Sequence, residues 1–538
     1  MKRRRTRRRR AAVILATMVG VLAGCTSSPP PGGAAPTGGA APTGPTPGPA
    51  PSGPTTGPTG SNANPSGLSP DPSGTRPNIV FVLTDDLSWN LVQYMPQVQQ
   101  MQKEGLTFDQ FMVTDSLCCP SRTSIFTGQY PHDTGVFTNG KEDGGKNDGG
   151  YAVFNQQGNE VKSFAPALQK GGYRTGFMGK YLNGYVPVDT NGTSKPYVPP
   201  GWDEWVGAGS AYEEYNYALN ENGTVHRYGR EPADYLTDVL AAKGTAFIDS
   251  SAAAGKPFAL EIATFAPHTP ATPAPRHANA FPDLRAPRGP AYGVAPSNPP
   301  AWLAAYPPLS PQNAKNIDGD FLKRVRSVQA VDELIGRIRA ELKAKGLADN
   351  TYLVFSSDNG YHMGEHNLRP GKQTAFDTDI RVPLVVVGPR VPSNRTRSEL
   401  VGNIDLHPTF LQLGGLTPTP DVDGRSLVPM LRGEAVTDWR QALLVEHHGP
   451  DRTKDDPDKP PPLSGNPPSY SAVRTTTATY VEYADGGREY YDQKADPDQL
   501  HNLAGSLSPQ QLDSLHRLTG ALTGCHGTQA CWAAGRQQ

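Results

Sequence analysis

The sequence predicts an α/β protein: a mostly parallel sheet flanked by helices, followed by a smaller antiparallel subdomain at the C-terminus. Three observations carry this. Continuous apolar, β-branched runs recur along the chain, as expected of strands buried on both faces. Long helical periodicities lie between them, and strands alternating with helices form parallel sheets. Beyond residue 466 the runs become short, alternate in polarity and are joined by tight turns.

The first run, residues 78–83 (NIVFVL), ends abruptly in Thr84-Asp85-Asp86. Residues 173–178, 257–264, 352–355 and 382–387 are further strands; the fourth ends in Ser356-Ser357-Asp358-Asn359-Gly360. Residues 233–249 place Leu236, Val239, Leu240 and Phe247 on one helical face. Residues 321–345 do the same with Val325, Val328, Val331, Leu334, Ile335, Ile338 and Leu342. In the tail, 470–474, 479–483 and 489–492 read as short strands, the last two joined across Asp485-Gly486-Gly487. Ser508-Pro509-Gln510-Gln511 then opens a helix with Ser as N-cap, Pro in the first turn and Gln at the third position.

The ends of the chain have their own chemistry. Eight positive charges fall within the first ten residues, and an apolar run of 13 residues follows from Ala11 to Ala23. That is an export leader, too short to span a bilayer. It closes on Leu22-Ala23-Gly24-Cys25, which resembles the bacterial lipobox; the reading is a leader over 1–24 with Cys25 lipidated, against an ordinary signal peptide with a chance Cys. Residues 25–77 are rich in Pro and Gly and hold no aromatic, so they cannot bury enough apolar area to fold and read as a tether. The expected organisation is completed by a large α/β domain over 78–465 and a sheet-plus-helix subdomain over 466–538. Net charge is −1, and without the basic head the chain is acidic, which excludes nucleic-acid binding by charge. Five Cys exclude a disulfide-dense scaffold. Outside the cytoplasm, Cys525 and Cys531 favour a small disulfide loop over a metal site, for which His526 would add only a third ligand.

In open α/β sheets ligands bind beyond the carboxyl ends of the strands, which singles out Asp85-Asp86 and Asp358-Asn359. Three carboxylates and an amide oxygen suit Ca²⁺ or Mg²⁺; the alternative is two unrelated strand-end turns. His362-Met-Gly-Glu365-His366 matches a zinc-protease pattern, but that motif needs a helix, and Gly360, Gly364 and Pro370 break one. Residues 117–128 (LCCPSRTSIFTG) read as a loop feeding a helix, with Pro120 in the first turn and Gly128 at the end. A side chain at that start meets the positive end of the helix dipole, and Arg122 one turn in can reach back to the same anion.

This stretch resembles the signature of the type I sulfatases, Cys-x-Pro-Ser-Arg with a Thr-Gly a few residues on. The likeness extends from about Pro77 to Ala504, through Gly179-Lys180-Tyr181-Leu182-Asn183, Ala266-Pro267-His268-Thr269-Pro270, Ser357-Asp358-Asn359-Gly360, Gly371-Lys372 and Tyr490-Tyr491-Asp492. Leu182 departs from the His that many arylsulfatases place there. Gly-Lys-Tyr-Leu-Asn, Cys-Cys-Pro-Ser-Arg and Asp-Asn-Gly-Tyr-His together look closer to the N-acetylglucosamine-6-sulfatase and heparan-sulfate endosulfatase branch. The resemblance implies an alkaline-phosphatase-like fold and hydrolysis of sulfate esters, on sulfated small molecules or glycans. It implies that Cys118 is converted to formylglycine by a formylglycine-generating enzyme, while Cys119 is a variable position. It further implies Ca²⁺, rather than Mg²⁺, on Asp85, Asp86, Asp358, Asn359 and residue 118. Arg122 would hold the formylglycine; Lys180, His268 and Lys372 would bind sulfate, His268 as general acid; His362 would face the substrate. The competing readings are a phosphodiesterase or phosphonate monoester hydrolase of the same superfamily, and a non-catalytic lipoprotein that captures sulfated glycans.

Overall fold

A computed structural model describes residues 76–140, 149–187, 196–451 and 456–537. The leader, Cys25 and all but the end of the tether lie outside the described residues. In chain order the strands are β1 (Asn78–Thr84), β2 (Leu106–Phe108), β3 (Phe111–Met112), β4 (Arg174–Lys180), β5 (Glu204–Ala208), β6 (Ala218–Glu221), β7 (Thr224–Arg227), β8 (Phe258–Ala263), β9 (Thr351–Ser357), β10 (Leu384–Val387), β11 (Arg395–Arg397), β12 (Val401–Gly402), β13 (Ala442–His447), β14 (Tyr470–Thr475), β15 (Ala478–Tyr483) and β16 (Arg488–Asp492).

The large sheet has the order β11-β2-β10-β9-β1-β8-β4-β5-β6-β7. Its five central strands, from β9 to β5, run parallel. Every residue of β1 is buried. Ile79, Phe81 and Leu83 enter one apolar cluster and Val80 and Val82 the other, which is why the run is apolar without alternation. Helices Leu236–Ala254 and Pro311–Ala344 cover one face through Leu240, Phe247, Val328 and Ile335. Helices Cys118–Thr127, Phe164–Lys170 and Leu406–Leu413 cover the other through Phe126, Leu168 and Phe410.

Some elements differ from the expectation. The strand expected over 382–387 is β10, and it runs antiparallel to β9 and β2. Between β9 and β10 the only helix among the described residues is the four-residue Asp377–Ile380; a parallel return needs a longer crossover. The second long helix begins at Pro311, ten residues before its apolar stripe, with the Ser310 hydroxyl accepting from the Asn313 amide at 3.1 Å. Those first turns carry polar residues because they line a cleft. The C-terminal sheet is four-stranded, β13-β14-β15-β16, all antiparallel. Its first strand, β13, lies before the expected boundary, separated from β14 by a Pro-rich loop. Residues of this sheet (Leu443, Val473, Tyr483) share one apolar cluster with Phe81 and Phe108 of the large sheet. Ser508 caps the helix Pro509–Thr523 through a reciprocal pair with Gln511, and Cys525 is bonded to Cys531.

Candidate active site

The register of β1 against β9 builds the first half of the site. Thr84 pairs with Ser357, so the two acidic dipeptides, far apart in sequence, leave the sheet side by side. Asp86 turns into the left-handed region (φ 64°), and its amide donates to Asp358 Oδ1 at 3.1 Å. Asn359 Nδ2 donates to Asp86 Oδ1 at 2.7 Å. All four side chains are essentially inaccessible to solvent.

The second half comes from the helix Cys118–Thr127. Leu117, its N-cap, is extended, and Cys118 is its first residue. The helix ends on Gly128 (φ 72°), where a Cβ would stand 2.8 Å from Val422. Cys118 Sγ lies 3.2 Å from Asp85 Oδ1 and 2.9 Å from Lys372 Nζ. Arg122, one turn later, donates from Nε to Asp358 Oδ2 at 2.8 Å and from Nη1 to the Lys180 carbonyl at 3.0 Å. It therefore ties both halves together.

Lys180 ends β4 and donates to Asp85 Oδ2 at 2.6 Å. The residue before it, Gly179 (φ 107°), has no room for a side chain: a Cβ would sit 1.9 Å from the Ala263 carbonyl oxygen of β8. Lys372 donates to Asp86 Oδ1 at 2.7 Å. His268 donates from Nδ1 to the Thr269 carbonyl at 2.7 Å, which leaves Nε2 facing the site, 3.7 Å from Asp86 Oδ2.

The electrostatics follow from burial and pairing. Burial opposes ionisation of Asp358, but Arg122, Lys180 and Lys372 hold it down to about 2. Asp85 is raised to about 6 by burial, opposed by Lys180. Burial disfavours the charge on Lys180 and Lys372, yet the carboxylates beside them keep both protonated well above the usual lysine range. Burial, with Asp358, Asp458 and Asp85 adding to it, pushes the Cys118 thiol well above its usual value.

Ligand atoms of Asp85, Asp86, Cys118 and His268 all lie within 4.8 Å of one another. Among the described residues, the buried Asn359 Oδ1 has no hydrogen-bond partner, while the Nδ2 of the same amide is engaged. An orphaned carbonyl oxygen amid carboxylates fits a hard divalent cation.

Of the residues named from the sequence, Asp85, Asp86, Cys118, Arg122, Lys180, His268, Asp358, Asn359 and Lys372 converge here. His362 does not join them. It is fully buried, with Nδ1 on Asp379 at 2.9 Å and Nε2 on the Ser464 carbonyl at 2.9 Å, so no ring nitrogen is left for a substrate. Its backbone pairs with Gly371, so it braces the segment that carries Lys372. His366, the other member of the zinc-like pattern, stacks on Phe376 with 3.6 Å between ring centroids and is lowered to about 3 by burial. Three residues were not singled out from the sequence: Asp458, Asn139 and Asn183. The Asp458 carboxylate lies 2.5 Å from His268 Nε2 and accepts from Lys372 Nζ at 2.6 Å, Asn139 Nδ2 at 2.7 Å and Asn183 Nδ2 at 2.9 Å. Asn183 stood in a quoted motif without a role; Asn139 and Asp458 lie in Gly- and Pro-rich stretches outside every quoted motif. Beside the site opens a cleft of about 280 Å³, lined in part by Asn313, Asn316, Asp320, Tyr361, Arg369 and Lys459.

An alkaline-phosphatase-like α/β fold, with its polar groups gathered at the strand ends, is the class that this geometry defines. The sulfatase family model matches residues 77–416, and the model for the C-terminal part of N-sulphoglucosamine sulphohydrolase matches 364–523. The chain belongs to the sulfatase family, whose reaction is hydrolysis of sulfate esters. It is 37% identical over 485 residues to the N-acetylglucosamine-6-sulfatase of Homo sapiens, covering 85% of this chain and 86% of that protein. It is 38% identical over 385 residues to the extracellular sulfatase SULF-1 homolog of Drosophila melanogaster, covering 70% of this chain and 33% of that one. Among solved structures, one in complex with its substrate D-glucosamine-2-N,6-O-disulfate superposes with a TM-score of 0.66 at 23% identity, over 86% of this chain and 99% of that chain. The phosphonate monoester hydrolase of Silicibacter pomeroyi superposes at 0.62 and 23% identity, over 83% and 94%.

Proposed function

We propose that the protein is an exported, lipid-anchored sulfatase that removes sulfate from a glucosamine-type sugar, using formylglycine at position 118 and a calcium ion. The observation that carries this reading is the setting of Cys118. Its Sγ lies 3.2 Å from Asp85 Oδ1 and 2.9 Å from Lys372 Nζ, yet burial, with Asp358, Asp458 and Asp85 adding to it, holds the thiol well above its usual value. As a plain thiol it is a poor nucleophile, at a position where the helix start, Lys372 and the acidic pairs all converge.

Formylglycine at 118 would supply the nucleophile, and the cation, held by Asp85, Asp86, Asp358 and the free oxygen of Asn359, would supply Lewis-acid polarisation of the sulfate. The remaining work belongs to the chain. Lys180 and Lys372, both buried, neutralise charge on the sulfate oxygens. Arg122 fixes residue 118 against Asp358. His268, with Nδ1 committed to a carbonyl, presents Nε2–H to the departing oxygen; burial opposes its charge, but Asp458, Asp86 and Asp85 raise its pKa, so it holds the proton it must give. Likeness to N-acetylglucosamine-6-sulfatases supports the sugar. The leader ending at Cys25 supports the anchor, and among the described residues no helix is long and apolar enough to cross a membrane.

The test is the mass of the peptide spanning Cys118 from native material, with hydrolysis of matched aryl sulfate, aryl phosphate and glucosamine 6-sulfate. Loss of sulfur at 118 and preference for the sulfate esters are expected. A plain thiol in active protein, or faster phosphate hydrolysis, would overturn the reading.

A further inference from the structure

The groups that sequence and geometry assign to the sulfate already hold an anion, and it belongs to the chain itself. Asp458 Oδ1 lies 2.6 Å from Lys372 Nζ and 2.5 Å from His268 Nε2, and 3.7 Å from Cys118 Sγ. Its Oδ2 accepts from Asn139 at 2.7 Å and Asn183 at 2.9 Å. Four N–H donors thus converge on one carboxylate, an arrangement that would serve the oxygens of a sulfate group equally well.

The segment that delivers this carboxylate is built to come away. In the sequence Asp456-Pro457-Asp458-Lys459-Pro460-Pro461-Pro462, Asp458 is buried, while Pro457, Lys459, Pro461 and Pro462 are exposed. Among the described residues, the backbone of 456–460 makes only local bonds: Asp458 N to Asp456 Oδ1 at 2.9 Å and Lys459 N to Asp456 O at 3.1 Å. Downstream the strap is pinned. Arg369 N donates to the Leu463 carbonyl at 2.8 Å and His362 to that of Ser464 at 2.9 Å. Upstream, Asp451 N donates to Asn466 Oδ1 at 2.7 Å and Asn466 Nδ2 to the Asp451 carbonyl at 3.0 Å; between these two pinned ends the Asp458 side chain is, among the described residues, the non-local hydrogen-bonding tie of 456–460, and the prolines make the strap a stiff arm rather than a coil. The strap also walls the cleft, through Pro457, Lys459, Pro460 and Pro461, opposite Asn316 and Asp320 of the long helix.

We propose that Asp458 is a tethered competitor for the sulfate subsite, and that the strap withdraws from Lys372, His268, Asn139 and Asn183 when the sulfate of a substrate enters. This rests on the sulfatase reading of the site. A sulfate monoester and a carboxylate cannot share these donors without strong like-charge repulsion, so binding is paid by strap release. The apparent affinity for substrate is reduced by the fraction of molecules in which the strap is open.

The experiment uses the full chain with Cys118 as thiol, and inorganic sulfate as probe. In Asp458→Asn, alkylation of Cys118 by iodoacetamide, localised by peptide mass, should quicken about tenfold, and sulfate should bind about tenfold more tightly. Should the variant fold poorly, the wild type supplies the same answer: saturating sulfate should accelerate hydrogen exchange at the Asp458 and Lys459 amides. Alkylation and sulfate affinity within about twofold of wild type in a folded variant, or amides that become more protected with sulfate, would overturn the strap. These readouts do not involve turnover. If they fail while aryl sulfate is still hydrolysed by matured enzyme, only the strap falls; if aryl sulfate is not hydrolysed, the function reading falls.

Discussion

Cys118 and Cys119 are adjacent, both buried and both free, and their neighbours predict opposite results for the same substitution. Cys119 belongs to the apolar cluster that includes Phe126 and Tyr181; its thiol is pushed up to about 12 by burial, opposed by a backbone hydrogen bond at Asn183. Cys119→Ala removes a buried sulfur from packed surroundings and should cost about 1–2 kcal/mol, a melting shift of a few degrees, with turnover largely kept. Cys118 touches Asp85 and Lys372, and those groups keep partners without it: Lys180 on Asp85 at 2.6 Å and Asp86 on Lys372 at 2.7 Å. Cys118→Ala should therefore melt within about 1 kcal/mol of wild type. Removing the nucleophile should lower kcat by roughly 10³-fold or more, at least about 4 kcal/mol of barrier. The assay is matched: thermal melting and initial rates on an aryl sulfate, wild type and both variants from one host with the maturation enzyme. Equal loss of turnover in both, or turnover kept in Cys118→Ala, would refute the assignment.

Three further outcomes are expected. Chelation should abolish turnover and lower the melting temperature, with Ca²⁺ restoring both; a cation at about 100 times its Kd adds about 2.7 kcal/mol, and Asn359→Ala should raise the Ca²⁺ concentration needed for restoration. If restoration in Asn359→Ala needs no more Ca²⁺ than in wild type, the orphaned oxygen is not a ligand. His268→Gln should slow hydrolysis of an alkyl or sugar sulfate far more than that of a nitrophenyl sulfate, whose leaving group needs no proton; equal losses would remove His268 as the acid. His132 bridges Glu446 at 2.7 Å and the Cys525 carbonyl at 2.9 Å, and although burial opposes its charge, Glu446 raises it to about 9. Both contacts need the imidazolium, so its contribution, about 1–2 kcal/mol once partial exposure is discounted, is full below the unfolded pKa of about 6.5 and lost as pH rises through about 9. Urea unfolding of wild type and His132→Gln should differ at about pH 6 and converge at about pH 10.

What the sequence made legible is what burial on both faces writes into it. β1 and the middle of β9 are continuous apolar runs, and β8 is one broken only by Glu261, because helices cover both sides, and the acids at the ends of β1 and β9 stood out against them. Arg122, Lys180, His268 and Lys372 were reached through short motifs on those elements. The outer strands β2, β6, β7 and β11 were not legible: each is three or four residues long, and the two edges, β7 and β11, are largely exposed, so no period can develop. The start of the long helix was missed for the same reason, since its first turns face the cleft and carry Asn313, Asn316 and Asp320 in place of an apolar stripe. His362 read as substrate-facing because its neighbours resemble a motif; that Asp379 and Ser464 take both of its nitrogens is a tertiary fact. Asp458 lay in a Pro-rich loop with nothing local to distinguish it.

The charges at the site give the metal and the strap a common cause. Asp85, Asp86 and Asp358 face Arg122, Lys180, Lys372 and, when protonated, His268, all buried. Three carboxylates against four cationic groups leave a positive excess, and buried charge without a partner is costly. Burial opposes ionisation of Asp458, but Lys372 and His268 draw its carboxyl well below the usual range: the chain answers the excess with its own anion. A divalent cation on the acidic side would enlarge that excess and strengthen the call for an anion at Lys372 and His268. Cation binding and anion affinity are then coupled and reciprocal: Ca²⁺ should tighten sulfate binding, and sulfate should tighten Ca²⁺ by the same factor. Equal sulfate affinity with and without Ca²⁺, measured by calorimetry on the thiol form, would mean that the two halves of the site are electrostatically independent, against the distances between them.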